Sequence, residues 1–123
     1  MEESTKSRRF ILIQVSCPYL HRTITLFNDT WQYKISKEHK EVSDRADLVK
    51  KILESPLDDT IAVYQKQRDP SRIAIFKKCP HLLPYYNYIK ITVKLINDKE
   101  ARITSCYGQD NVPGFDMEAY DGR

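Results

Sequence analysis

His39 lies in the stretch W-Q-Y-K-I-S-K-E-H-K-E over 31–41, which also carries Lys34, Glu41 and the chain's single tryptophan, Trp31. An imidazole is the side chain best suited to trade protons near neutral pH. Further along, Arg72, Lys94, Thr104 and Tyr107 supply cations and hydroxyls. Together these types suffice for one reaction without a metal. An RNA strand can be cut by its own 2′-hydroxyl if a base takes that proton, an acid protonates the leaving 5′-oxygen and cations hold the crowded phosphate. His39 is the expected acid or base, with Arg72, Lys94, Thr104 and Tyr107 around the phosphate.

Other chemistries fit less well. Cys17, Cys79 and Cys106 with His81 offer soft metal ligands, but no two cysteines stand at the C-x-x-C spacing that structural zinc sites use, and no metal or cofactor is expected. Nothing around the cysteines marks an activated thiol. The only glycines are Gly108, Gly114 and Gly122, so a glycine-rich phosphate loop is absent.

The elements that must position these groups can be read in chain order. Residues 1–8 are polar and read as a flexible arm. Arg9–Ser16 and Arg22–Phe27 read as two strands of a hairpin, the first ended by Cys17-Pro18. Asn28-Asp29 offers caps for a helix from about Thr30, on which Trp31 and Ile35 share the inner face. Ser43 reads as the N-cap of a second helix over Asp44–Glu54, with Ala46, Val49, Ile52 and Leu53 inward and Pro56 beyond its end. Four strands follow: Thr60–Lys66, Arg72–Lys77, Tyr85–Ile96 and Glu100–Tyr107. Turns at 67–71 and 97–99 make antiparallel hairpins of each pair, and Cys79–Pro84 is a proline-bounded loop. In the longest strand Ile89, Ile91, Val93 and Leu95 alternate with Tyr88, Lys90, Thr92 and Lys94. Arg102, Thr104 and Cys106 are expected beside that second set. One sheet face then packs on helices and the other presents cations and hydroxyls to solvent, as phosphate binding requires.

The bulk composition sets the frame. A chain of 123 residues, 41% hydrophobic and 30% charged, fits one soluble domain. No apolar run approaches the ~20 residues of a membrane helix, and no signal peptide is evident, so a cytoplasmic protein with free thiols and no membrane partner is expected. The net charge of +3 divides unevenly. Residues 108–123 carry four acids against Arg123, a net of −3, which leaves +6 on the preceding 107 residues. The expected organisation is an arm over 1–8, a domain over 9–107 and an acidic tail over 108–123 that wraps the domain or frays. A basic body suits a polyanion such as RNA, with the tail as a competitor for its surface.

The order of short motifs carries a resemblance over roughly residues 23–107. W-x-x-K-I-x-x-x-H-x-E is followed by I-L-E-S-P, Y-x-x-x-R-D-P-x-R-I-x-I-F-K, Y-I-K-I-T-V-K and I-T-S-C-Y. This series resembles the phage- and toxin-associated nucleases of the BECR superfamily, the barnase, EndoU, colicin and RelE-like group. The resemblance implies an α+β fold with an N-terminal hairpin, two helices and a four-stranded antiparallel sheet. It also implies a metal-independent endoribonuclease acting on mRNA or tRNA, with an antitoxin or immunity protein as partner. It carries over the helix histidine to His39, the lysine to Lys34, the arginine to Arg72 and the last-strand hydroxyl to Thr104. Lys90, Lys94, Arg102 and Ser105 complete the expected substrate surface.

The chain departs from the pattern in three places. Lys40 replaces a proline, which leaves the helix free to run on and turn His39 away. Val42 replaces a leucine. T-S-C-Y has one residue more than the family's T-A-Y, so Thr104, Ser105 and Tyr107 all remain candidates for the functional hydroxyl. Two other functions fit the same residues. One is a binding module for RNA or protein that keeps the fold without the chemistry. The other is an interaction domain whose acidic tail docks a partner.

Overall fold

A computed structural model of the chain describes residues 9–78, 86–111 and 117–120. The expected loop at Cys79–Pro84 and the start of the strand at Tyr85 lie outside those residues. Two strands, β1 (Ile11–Cys17) and β2 (Arg22–Phe27), form the N-terminal hairpin. The helix α1 follows as a wide coil over Thr30–Ile35 and a tighter turn over Ser36–Glu38. Its wide part has i→i+5 bonding, since the Ser36 amide donates to the Trp31 carbonyl. A short 3₁₀ turn, Lys40–Val42, leads to the second helix, α2 (Ala46–Glu54). Then come β3 (Ile61–Lys66), β4 (Asp69–Lys78), β5 (Tyr88–Leu95), β6 (Glu100–Gln109) and β7 (Met117–Ala119).

The separate four-stranded antiparallel sheet is not what forms. Seven strands make one mixed sheet in the order β1-β2-β6-β5-β4-β3-β7. Two pairings produce the difference. β2 joins β6 in parallel, with Thr23, Ile24 and Thr25 opposite Glu100, Ala101 and Arg102. β7, drawn from the acidic tail, pairs antiparallel with β3 through Tyr64 and Ala119, Gln65 and Glu118, and Lys66 and Met117. The physical reason for the first is shared burial. A lone two-stranded hairpin is marginal in water. By joining the sheet, Ile13, Val15, Cys17, Ile24 and Leu26 reach the same core as Ile73, Ile75, Ile89, Ile91 and Val93. The tail is held by its end: the Tyr120 amide donates to the Val63 carbonyl at 3.0 Å, and its side chain packs on the core.

Helical residues close the core face of the sheet. Ile35 of α1, Val42 of the 3₁₀ turn and Val49, Ile52 and Leu53 of α2 are all buried, and Trp31 and Ala46 pack against them. Ser43 does not cap α2. Its amide donates to Lys40 in the 3₁₀ turn, and the helix starts two residues later than expected, at Ala46, with no side-chain cap. Burial of Val42 fixes that turn. Asp69 and Pro70 belong to β4 rather than to the turn before it, which is reduced to Gln67 and Arg68. Lys66 lies opposite Asp69 but Gln65 opposite Ile73, so the proline falls where the ladder is interrupted and no amide is needed.

Candidate nucleic-acid interface

The open face of the sheet is ordered by the register of β4, β5 and β6. Three ranks of side chains cross these strands: Arg72, Lys94 and Arg102; then Ala74, Thr92 and Ser105; then Phe76, Lys90 and Tyr107. Strict alternation along β6 cannot give those ranks. Thr92 faces Ser105 while Val93 faces Ile103, so Thr104 is the extra residue of a β-bulge. The bulge reverses the phase of the strand. Ile103 and Cys106, three apart, both point into the core, and Arg102, Ser105 and Tyr107 share the open face. The expected place of Cys106 on the open face is therefore wrong: it is fully buried.

A depression of about 260 Å³ forms over these ranks, lined by Lys34, Lys66, Arg72, Lys90, Thr92, Thr104, Ser105, Tyr107 and Met117 with the strand floor at 73, 74 and 93. Six of the expected residues meet here: Lys34, Arg72, Lys90, Thr104, Ser105 and Tyr107. Lys94 and Arg102 line a second depression, also about 260 Å³, with Arg9, Phe27, Thr30, Ile96 and Ile103. Lys34 and Thr104 line both, so the two hollows adjoin. A hollow of about 530 Å³ lies elsewhere, between Pro18, Tyr19, His21, Pro56, Leu57, Val63 and Tyr120. No lysine or arginine lines it among the described residues, whereas the two sheet-face depressions are rich in both.

Each element places its group for a local reason. Beyond Arg102, β6 has no strand beside it on the β2 side among the described residues, and α1 with the 3₁₀ turn covers that edge. Ile35 turns into the core from α1, while its neighbour Lys34 reaches the depressions. The Glu41 carboxylate accepts the Gly108 amide at 2.9 Å and so satisfies an edge donor of β6. Gly108 must be glycine: a Cβ there would stand 2.5 Å from the Tyr86 ring. α1 ends at Glu38 although Lys40 replaces the proline. His39 adopts φ −127° and ψ 80°; its amide closes onto Ile35 at 2.8 Å and its carbonyl accepts Val42. The helix does not run on.

His39 itself is absent from the lining of the depression. Its ring stacks on Tyr107 with centroids 4.8 Å apart, and Tyr107 is the residue that reaches the hollow. On the other side of the rank the Lys90 ammonium lies 5.4 Å from the Tyr107 ring centroid and 5.6 Å from that of Phe76. Phe76 is buried on the open face, with Tyr64 and Tyr88 edge-on to it.

The three candidate hydroxyls are now distinguishable. Thr104 donates to the Thr92 carbonyl at 3.2 Å and shares a 2.9 Å bond with the Thr92 hydroxyl, so it secures the bulge. The Ser105 and Tyr107 hydroxyls bond to no side chain or backbone group among the described residues. Thr104 builds the site, and the other two are available to a ligand.

The charges are unevenly balanced. Arg72 Nε meets Asp69 Oδ2 at 3.1 Å. The Ser71 hydroxyl, then its amide and the Arg72 guanidinium, hold the Asp69 carboxyl below the usual carboxylate range. Arg9 pairs with Asp29 at 3.1 Å. Lys34, Lys66, Lys90, Lys94 and Arg102 form no salt bridge with a described carboxylate, and no described residue lining either depression is an acid. Among the described residues no histidine, cysteine and acid cluster that would hold a metal is present. Lys66 and Met117 were not anticipated at this site. Lys66 shares the alternation of β3, but Met117 arrives only through the tail strand, for which the sequence offers no periodic signal. No protein-family model, curated protein or solved structure matches this chain.

Proposed function

We propose that the protein is an endoribonuclease that binds single-stranded RNA on the open face of its sheet and cleaves it by 2′-hydroxyl attack. The observation that carries this reading is the convergence of Lys34, Arg72, Lys90, Ser105 and Tyr107, from four separate elements, on one hollow. In the reaction the 2′-oxygen bonds to phosphorus and the bond to the 5′-oxygen breaks. A proton leaves the 2′-hydroxyl and another reaches the 5′-oxygen, giving a 2′,3′-cyclic phosphate and a 5′-hydroxyl. Arg72, Lys34 and Lys90 neutralise the phosphate oxygens, which gather charge in the transition state. Tyr107 meets the reacting atoms and gives its hydroxyl proton to the leaving 5′-oxygen; His39, stacked on that ring, positions it and takes the 2′-hydroxyl proton at the rim. These cations supply the charge that a metal would otherwise bring. As with the nucleases that the chain resembles, a neutralising protein partner fits this reading.

A second reading is a module that binds RNA without cutting it. It is favoured by the position of His39, outside the lining, and by the lack of a carboxylate within it. RNA incubated with the full chain in EDTA decides between them. Cleavage that falls in Arg72→Ala and Tyr107→Phe supports the nuclease. Salt-sensitive binding of intact RNA supports the module.

A further inference from the structure

We infer that the bound strand crosses the sheet along Arg72, Lys94 and Arg102 and engages at least two consecutive phosphates, the second in the hollow beside Phe27. This rests on the reading of the open face as an RNA surface. Register supplies the first observation. Lys94 lies directly opposite Arg72 on one side and Arg102 on the other, so three cations stand in one row on adjacent strands. Like charges directly opposite in a sheet repel and weaken it. Only Arg72 of the three has a described carboxylate partner, Asp69. An anion lying along the row removes that repulsion.

Extent is the second observation. The row crosses two strand spacings, about 10 Å, which is wider than one phosphate group. Its two ends open into different hollows, Arg72 into the first and Arg102 into the second, with Lys34 and Thr104 between. The third observation is the way Arg102 is held. Its guanidinium lies 5.2 Å from the Phe27 ring centroid, and that of Arg9 lies 4.2 Å from the same centroid. Arg9 is already paired with Asp29, which leaves Arg102 as the guanidinium whose donors are open to a ligand. A ring beneath a planar guanidinium restricts its rotation and presents its fork of N–H groups, the geometry that suits a phosphate. A mononucleotide occupies one hollow; a polymer uses both.

Binding of 2′-O-methyl RNA oligomers of two, four and eight nucleotides, which lack the attacking hydroxyl, separates this inference from cleavage. The wild-type chain is expected to bind the four-mer and eight-mer about tenfold more tightly than the two-mer, because added phosphates release added counterions. Arg102→Gln should remove most of that gain, leave two-mer affinity within about twofold, and reduce the salt slope for the eight-mer by about 0.7. Lys50→Gln, on the exposed face of α2, should leave every affinity unchanged. Equal affinity for all lengths, or an Arg102→Gln variant that melts like wild type and binds the eight-mer equally well, overturns the inference. With an unmodified eight-mer incubated alongside to report cutting, length-dependent binding of the 2′-O-methyl series while that eight-mer stays intact keeps the inference and removes the nuclease. Cutting without length-dependent binding does the reverse, and no binding at any length removes both.

Discussion

The imidazole of His39 lies against the ring of Tyr107, with centroids 4.8 Å apart and planes 28° from parallel. This contact links the end of α1 to the one aromatic hydroxyl among the described residues that line the basic depression. The two residues should therefore act as a unit. Tyr107→Phe keeps the stack and removes the proton, so RNA cleavage should drop about 100-fold or more, the usual worth of a positioned acid or base. His39→Ala removes the stack, and the double variant should lose no more than the larger single loss. Independent, multiplicative losses in single-turnover assays would separate the two residues.

Glu41 ties the 3₁₀ turn to β6 by accepting the Gly108 amide. Glu41→Ala leaves that edge donor without its charged partner. Unfolding in urea should show a loss of about 1.5–3 kcal/mol, the range for hydrogen bonds to charged groups. An unchanged midpoint would mean that water replaces the carboxylate at no cost.

The Tyr19 hydroxyl donates to the Ile52 carbonyl at 2.8 Å inside the core. Burial raises its pKa far above the ordinary 10.0, and burial likewise raises that of Cys17 above 9.0. An acid whose pKa is raised by folding contributes stability that is complete below its unfolded value and is lost as the pH climbs toward the folded one. Melting temperature should hold at neutral pH and fall progressively above about pH 9 to 10, where the unfolded thiol and phenol ionise. Tyr19→Phe should melt earlier at pH 7, by about 1 kcal/mol for the lost bond, and show a shallower alkaline decline. A parallel decline in both proteins would remove Tyr19 as its source.

Lys94 stands between Arg72 and Arg102 in register. Lys94→Gln should raise stability by a few tenths of a kcal/mol at low salt, and the gain should shrink as salt screens the repulsion. The same substitution should weaken RNA binding. A variant both less stable and weaker in binding would assign Lys94 a packing role instead.

Local periodicity made much of this arrangement legible. The alternation of β5 placed Lys90, Thr92 and Lys94 on the open face, and the apolar spacing of α2 marked Val49, Ile52 and Leu53 as core. The phase of β6 was harder. Ile103 and Cys106 are apolar at a spacing of three, which breaks a two-residue alternation and is the trace a bulge leaves; read as regular, it put Cys106 on the wrong face. The parallel joining of β2 to β6 and the tail strand β7 were not legible, because both depend on which distant edges are left unpaired. The end of α1 illustrates the same limit. No proline was required to stop the helix, since the buried Val42 turns the chain there.

The chemical nature of the RNA ends tests the central claim most directly. Mass spectrometry of oligonucleotides incubated with the chain in EDTA should find pairs of products, one ending in a 2′,3′-cyclic phosphate and the other beginning with a 5′-hydroxyl. Their yield should fall with Arg72→Ala and Tyr107→Phe, and vanish when the nucleotide at the cut carries a 2′-O-methyl group. Intact oligonucleotides at every time point, or products bearing 5′-phosphates, would contradict the account.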